Sequence, residues 1–167
     1  MVVGNILLYI CLLCTVGLIA VIMNKYEEKR KREKTKMSFK EALDLTGIPV
    51  ATFYQDNNKI NFLLDTGSNL SIINESFLNN IKYTDVKAEG NIFGMEGGAK
   101  KVKYVNAEFY YKDNKFKEVF QVVNMDTAFN SVKQDTGVTI NGILGSEFLK
   151  NHSYILDFKE LIAYSKK

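Results

Sequence analysis

The segment Asn61-Phe62-Leu63-Leu64-Asp65-Thr66-Gly67-Ser68-Asn69-Leu70-Ser71-Ile72-Ile73 constrains the fold more than any other part of the chain. An apolar run leads into a carboxylate, turns through a glycine and becomes apolar again. A strand that buries Phe62 and Leu64 does not end on a charge without a use for it, because an unpaired buried carboxylate is costly. Asp65 is therefore the first candidate for chemistry. Thr66 supplies a hydroxyl that can bond a backbone group, Gly67 removes the Cβ where the chain turns sharply, and Ser68 places a second hydroxyl beside the carboxylate.

The surrounding pattern is that of strands. Ile48 to Tyr54 and Lys59 to Leu64 are β-rich runs joined by the polar turn Gln55-Asp56-Asn57-Asn58, which predicts a hairpin. The single proline, Pro49, sits at the start of the first run, where a missing donor is tolerated. Leu70 to Ile73 leaves the Asp65 turn, and Glu75 to Asn80 reads as a short helix capped by Asn74. Val102 to Tyr111 and Phe116 to Val123 are two further strands, with a phase slip near Val105 that suggests a bulge. Met125 to Thr139 is polar and irregular and reads as an exposed loop before a core strand, Ile140 to Leu144. A short helix from Ser146 to Lys150 follows.

The N-terminus is of another kind. Val2 to Met23 carries no charged residue, and as a helix it spans about 33 Å, enough for a hydrocarbon core of about 30 Å. A signal peptide is the rival reading, but no Lys or Arg precedes the run and no small-x-small cleavage site ends it. Lys25 to Lys36 then holds seven Lys/Arg against three Glu; since the chain has 22 basic and 19 acidic residues, the remainder has 15 against 16. The mild basicity is thus confined to the membrane flank. By the positive-inside rule this places the N-terminus outside and the C-terminal domain in the cytoplasm. A nucleic-acid patch is the alternative for this run, and no nucleic-acid partner is expected because topology and anionic lipid already account for it. The domains read as 1–24, an anchor; 25–46, a charged helical stalk; and 47–167, one folded domain. Cys11 and Cys14 lie inside the apolar span as packing residues, and the folded domain has no cysteine.

The Asp65 motif resembles the apolar-apolar-Asp-Thr-Gly-Ala/Ser signature of the retropepsin-like aspartic protease family. Asn141-Gly142-Ile143-Leu144-Gly145-Ser146-Glu147-Phe148-Leu149 resembles that family's apolar-Leu-Gly-x-x-Phe-Leu segment, and Ile155-Leu156-Asp157-Phe158 its closing strand. The resemblance covers roughly residues 48 to 164. It implies a mainly β fold, a closed barrel forming one acid-protease half-lobe with one short C-terminal helix. It further implies a homodimer, with one Asp65 from each chain holding a water between them for hydrolysis of a peptide or protein substrate. Thr66 would lock the two turns together, Gly67 would admit substrate backbone, and Ser68 would bond the outer carboxylate oxygen. Ile143, Leu144 and Gly145 would support the substrate pocket. The glycine-rich stretch containing Gly94, Met95, Glu96, Gly97 and Gly98 would be a flap over the substrate, the plainer reading being an ordinary hairpin tip.

Gln134-Asp135-Thr136-Gly137 repeats the tripeptide, but no apolar run delivers Asp135, so it reads as a surface turn. His152, the one histidine, reads as a surface or helix-end residue. No metal cluster, cofactor motif or phosphate-binding loop is present in the pattern. The expectation is a membrane-tethered aspartic endopeptidase active as a homodimer. The alternative is a non-catalytic module of the same fold used for dimerisation or peptide binding.

Overall fold

The computed structural model describes the backbone of residues 2–93 and 99–166, and the side chains of residues 13–30, 35–87 and 103–166. In chain order the elements are α1 (Val2–Thr35), β1 (Met37–Ser38), α2 (Lys40–Thr46), β2 (Val50–Gln55), β3 (Asn58–Leu64), β4 (Ser71–Asn74) and a 3-10 turn (Glu75–Asn80). There follow β5 (Tyr83–Phe93), β6 (Ala99–Tyr111), β7 (Asn114–Val123), α3 (Asp126–Thr136), β8 (Gly142–Leu144), α4 (Ser146–Asn151), β9 (Tyr154–Asp157) and β10 (Ile162–Ser165). The fold is mainly β.

Six strands form a ring in the order β2-β3-β8-β4-β7-β6, closed where Tyr54 of β2 pairs with Tyr110 of β6. β5 adds to the free side of β6. Closure removes the unpaired edges that an open sheet would expose. Two pairings in the ring are parallel, β3 with β8 and β4 with β7. β8 therefore lies between the two strands that flank the Asp65 turn, parallel to one and antiparallel to the other.

Inward-facing phenylalanines fill the barrel. Phe53, Phe62, Phe109, Phe116, Phe120 and Phe148 are all buried, and Phe53 meets Phe62, Phe109, Phe116 and Phe148 edge-on at centroid distances of 5.2 to 6.5 Å. Edge-on rings align the positive rim of one with the negative face of the next, adding about 0.5–1.5 kcal/mol per pair to the hydrophobic term. A smaller apolar cluster of Val50, Phe129, Ile140 and Ile143, with Ala42 and Val132 against it, joins α2 and α3 to the sheet.

Several expectations need correction. The polar segment Met125 to Thr139 is not a loop, since Asp126–Thr136 is the helix α3. It folds because Phe129 and Val132, three apart, face the second apolar cluster. Gly137 ends it with a left-handed φ of 77°, its N–H donating to the Lys133 carbonyl. Asp135 thus sits exposed on a helix and not in a turn. The register between β6 and β7 runs unbroken from Lys103 to Tyr111, so the bulge expected near Val105 is absent there. The shift lies in β5 instead, between Val86 and Gly90. Asn74 makes no capping bond to the turn after it; its side chain bonds Ser76, Asp126 and the Met125 N–H, tying the start of α3 to β4.

The stalk also departs from a single helix. α1 ends at Thr35, and β1 pairs with β10, Met37 opposite Ala163. The Thr35 hydroxyl accepts the Ser165 N–H at 3.1 Å, and Met37 and Phe39 are buried in the main core. The folded unit therefore takes in residues from Thr35 onward, not from residue 47. Among the described residues no helix is long and apolar enough to cross a membrane. The apolar run begins at Val2, however, and the side chains of residues 2–12 lie outside the described residues. Within the described part of α1, Leu13, Val16, Leu18, Ile19, Val21, Ile22 and Met23 are each more than half exposed.

Phe53→Ala should lower the unfolding free energy by about 3–5 kcal/mol, because it removes a ring at the centre of the cluster and leaves a cavity. Urea denaturation of the variant beside the wild type measures this.

Candidate active site

β3 delivers Asp65 as the sequence pattern requires. Phe62 and Leu64 face the core, and Leu64 pairs with Leu144 of β8. The pairing continues one step past the strand, where the Asp65 N–H donates to the Leu144 carbonyl at 3.0 Å. The chain then turns, and the Gly67 N–H donates back to Asp65 Oδ1 at 2.8 Å. This bond satisfies one carboxylate oxygen and orients the group. A Cβ on Gly67 would stand 3.2 Å from the same oxygen, so a side chain here would push against the carboxylate.

Asp65 is half-buried, Thr66 and Gly67 are exposed, and Ser68 is half-buried. Ser68 does not bond the Asp65 carboxylate as expected. Its hydroxyl donates to the Leu70 carbonyl at 2.7 Å, closing the second half of the turn on itself. Short serine side chains favour such local backbone bonds.

The turn is clamped from the other side by residues 144–147. Besides the Asp65–Leu144 bond, the Ser146 N–H donates to the Ser68 carbonyl at 2.7 Å and the Glu147 N–H to the Asn69 carbonyl at 3.1 Å. These donors are the first N–H groups of α4, which have no partner within the helix. Gly145, at the N-cap position, has no side chain to serve them, so the Asp65 turn serves them instead. Gly145 itself lies where a Cβ would fall 2.6 Å from the Leu70 carbonyl oxygen and 2.9 Å from that of Ser68. Only glycine lets the two segments approach this closely.

The fourth bond of the clamp involves a residue that the motif reading missed. The Gly145 N–H donates to Ser71 Oγ at 3.2 Å, and the Ser71 hydroxyl donates to Glu118 Oε1 at 2.8 Å. Ser71 is a buried polar residue on the inward face of β4, two residues before Ile73, and that alternation was its only signal. The other end of β8 is tied by Asn141, also missed: its N–H bonds the Asn61 carbonyl, its side chain accepts the Asn61 N–H, and its carbonyl accepts the Asn74 N–H. Ile143 and Leu144 are buried between these ties.

The flap residues Gly94 to Gly98 lie outside the described residues. Asp135, exposed on α3, is not part of this site. His152 follows α4 and packs on Phe148 and Phe116, at centroid distances of 4.5 and 5.1 Å. Among the described residues no cluster of His, Cys, Asp and Glu is placed to hold a metal ion. Three concavities of about 330, 460 and 490 Å³ open elsewhere on the surface, and Asp65 lines none of them.

Residues 50–148, more than half of the chain, match the family model described as aspartyl protease. No curated protein matches the chain. Among solved structures the chain is similar to EIAV protease complexed with the inhibitor HBY-793, at 22% identity and a TM-score of 0.43, over 62% of this chain and 86% of that one. It is similar to the retroviral protease-like domain of Ddi1 from Leishmania major, at 13% identity and a TM-score of 0.47, over 71% and 87% of the two chains. A retropepsin-like aspartic protease from Rickettsia conorii is similar at 17% identity and a TM-score of 0.41, over 77% and 87%.

Gly145→Ala should destabilise the fold by about 1–3 kcal/mol, since backbone atoms of the turn must move to admit the methyl group. Gly47, with open space around its Cβ position, makes a comparison site whose smaller cost comes from its left-handed φ of 72° alone. Thermal denaturation of the two alanine variants separates a steric clash from a conformational penalty.

Proposed function

The chain belongs to the aspartyl protease family, and from that premise we propose that it is a membrane-tethered, retropepsin-like endopeptidase active as a homodimer. The observation that carries the reading is the Asp65 turn, which stands at the end of a core strand and is held by five hydrogen bonds, one of them to the carboxylate itself. Hydrolysis needs a carboxylate held in fixed geometry by the residues around it, and this turn supplies that support.

One chain supplies one such carboxylate, so a second copy completes the site. Across a two-fold axis the same patch meets itself and two Asp65 side chains face each other. Two adjoining carboxylates repel one another when both are charged, so in the dimer one proton is shared between them. The ionised member takes a proton from a water held between them while that water attacks the substrate carbonyl; the protonated member donates to the carbonyl oxygen. The diol then collapses, one hydroxyl giving its proton to the carboxylate now ionised while the carboxyl now protonated donates to the nitrogen, and the peptide bond breaks. This division of labour follows the general aspartic-protease scheme. In this dimer Thr66, exposed beside the carboxylate, bonds the partner turn, and Gly67 admits an extended peptide. Ile143 and Leu144 stiffen the floor from beneath.

The tether rests on Val2 to Met23. This run is free of charge, and its described portion exposes apolar side chains along α1 that a hydrocarbon core would cover. The basic residues that follow orient it with the N-terminus outside and the protease domain in the cytoplasm. Confinement to one bilayer raises the effective concentration of partner chains, so a dimer too weak to persist in solution forms at the membrane.

Asp65→Asn should reduce cleavage of a fluorogenic peptide library by the full chain in lipid vesicles by about 10³-fold or more, whereas Asp135→Asn should retain wild-type activity. Equal activity in the wild type and the Asp65→Asn variant would sink the enzyme reading. In the second experiment, alkaline carbonate washing of membranes should leave the full chain in the pellet and release a chain lacking residues 2–23. Release of the full chain would remove the tether.

A further inference from the structure

Glu118 has no part in the family signature, and nothing in the sequence motif draws attention to it. It stands on β7, two residues before the buried Phe120, and is itself half-buried. Its Oε1 accepts the Ser71 hydroxyl at 2.8 Å, while Ser71 Oγ accepts the Gly145 N–H at 3.2 Å. One step back along the chain, the Leu144 carbonyl accepts the Asp65 N–H. A continuous path of contacts thus runs from the Glu118 carboxylate through Ser71 and Gly145 to the backbone of Asp65.

The Ser71 hydroxyl has a single proton. Once that proton is committed to Glu118, an oxygen lone pair is directed at the Gly145 N–H, and the hydroxyl has no freedom to turn away. Without an acceptor at position 118, the hydroxyl rotor in this buried site seeks another carbonyl and its hold on Gly145 weakens. We propose that Glu118 is a positioning residue for the Asp65 turn, acting through Ser71 and Gly145. The proposal rests on the reading of Asp65 as the catalytic carboxylate.

The charged surroundings of Glu118 give the arrangement a pH dependence. Glu147 faces it from α4, Tyr104 and Asn106 from β6, and Lys117 lies next to it on β7; all line one concavity with Leu70. Burial holds the Glu118 carboxyl above the ordinary carboxylate range, Glu147 adds to the effect, and the Ser71 hydrogen bond opposes it. Two consequences differ in sign. An ionised Glu118 is the stronger acceptor, so the clamp on Gly145 slackens as pH falls through the raised value. Global stability runs the other way: a carboxyl raised in the folded state favours folding while protonated, and that contribution is lost as pH rises through the folded value. Position is held best where the fold pays most for the charge.

The test uses the full chain in detergent micelles, with amide hydrogen exchange at Gly145 and Asp65 read by NMR and kcat and KM measured on a fluorogenic peptide library. Glu118→Ala and Ser71→Ala should each speed Gly145 exchange and lower kcat by about 10-fold with KM little changed, and the double variant should be no worse than either. Glu118→Gln keeps an acceptor without the charge. It should hold Gly145 protection at the weaker, acid-side level of the wild type at every pH, and so lose the pH dependence that the wild type shows. Relative to wild type, it should also gain thermal stability between acid and neutral pH. Unchanged Gly145 exchange in Glu118→Ala overturns the proposal, as do additive losses or an effect on KM alone. If the wild type cleaves nothing, the catalytic reading fails by itself, and the exchange data still decide whether Glu118 positions the turn. If Glu118→Ala does not fold by circular dichroism, the pH dependence of Gly145 protection in Glu118→Gln decides instead.

Discussion

The structure depends on the insertion of three residues, Gly142 to Leu144, between the strand that brings the chain to Asp65 and the strand that takes it away. Without β8 the two flanking strands have no pairing in common, and the turn between them is an open loop. With it, the backbone of residues 141–147 bonds both sides of the Asp65 turn and the strand ends behind it. The requirement for such close approach explains both glycines. A Cβ on Gly142 would meet the Ile72 carbonyl and the Phe62 ring, and one on Gly145 would meet the Leu70 and Ser68 carbonyls. The glycine-rich segment near the C-terminus and the Asp-Thr-Gly-Ser segment are therefore two halves of one packing unit, far apart in sequence and joined by pairing.

Around this unit the forces are divided by place. Phenylalanines inside the ring supply hydrophobic and ring-ring energy without specifying chemistry. Polar side chains sit where strands must be held in relative position: Asn141 at one end of β8, Ser71 and Glu118 at the other, Asn74 at the entry to α3. Asn141, Ser71 and Asn74 bond backbone and Glu118 bonds the Ser71 hydroxyl, and loss of one partner would leave a buried donor or acceptor unsatisfied. The ion pairs observed, such as Lys82 with Asp56 and Lys40 with Asp44, are exposed and contribute little.

What was legible in the sequence, and what was not, follows from the same division. Alternation of apolar residues located β2, β3 and most of β6 and β7, because half-buried strands impose a period of two. The Asp65 turn was legible because a charge after Phe62, Leu63 and Leu64 conflicts with burial. α3 was not. Its helical face rests on Phe129 and Val132 alone, and its polar residues made it resemble a loop. The two Asp-Thr-Gly tripeptides make the point sharply: Gly67 bonds back to a carboxylate after a strand, whereas Gly137 closes a helix in a left-handed conformation. The contact of Ser68 with Leu70 in place of Asp65, and the path from Glu118 to Gly145, depend on three-dimensional neighbours that no local pattern encodes. The pairing of β1 with β10 is of that kind too, since it joins residues 37–38 to residues 162–163.

The central claim is that Asp65 is half of a site. Wild-type chains and Asp65→Asn chains, mixed in varying proportions in the same vesicles under conditions of free exchange, test it directly through the dependence of peptide cleavage on the wild-type fraction. If each site needs Asp65 from two chains, activity falls as the square of that fraction, to about one quarter at equal amounts. A linear fall to about one half would show that a single chain is sufficient and would contradict the account.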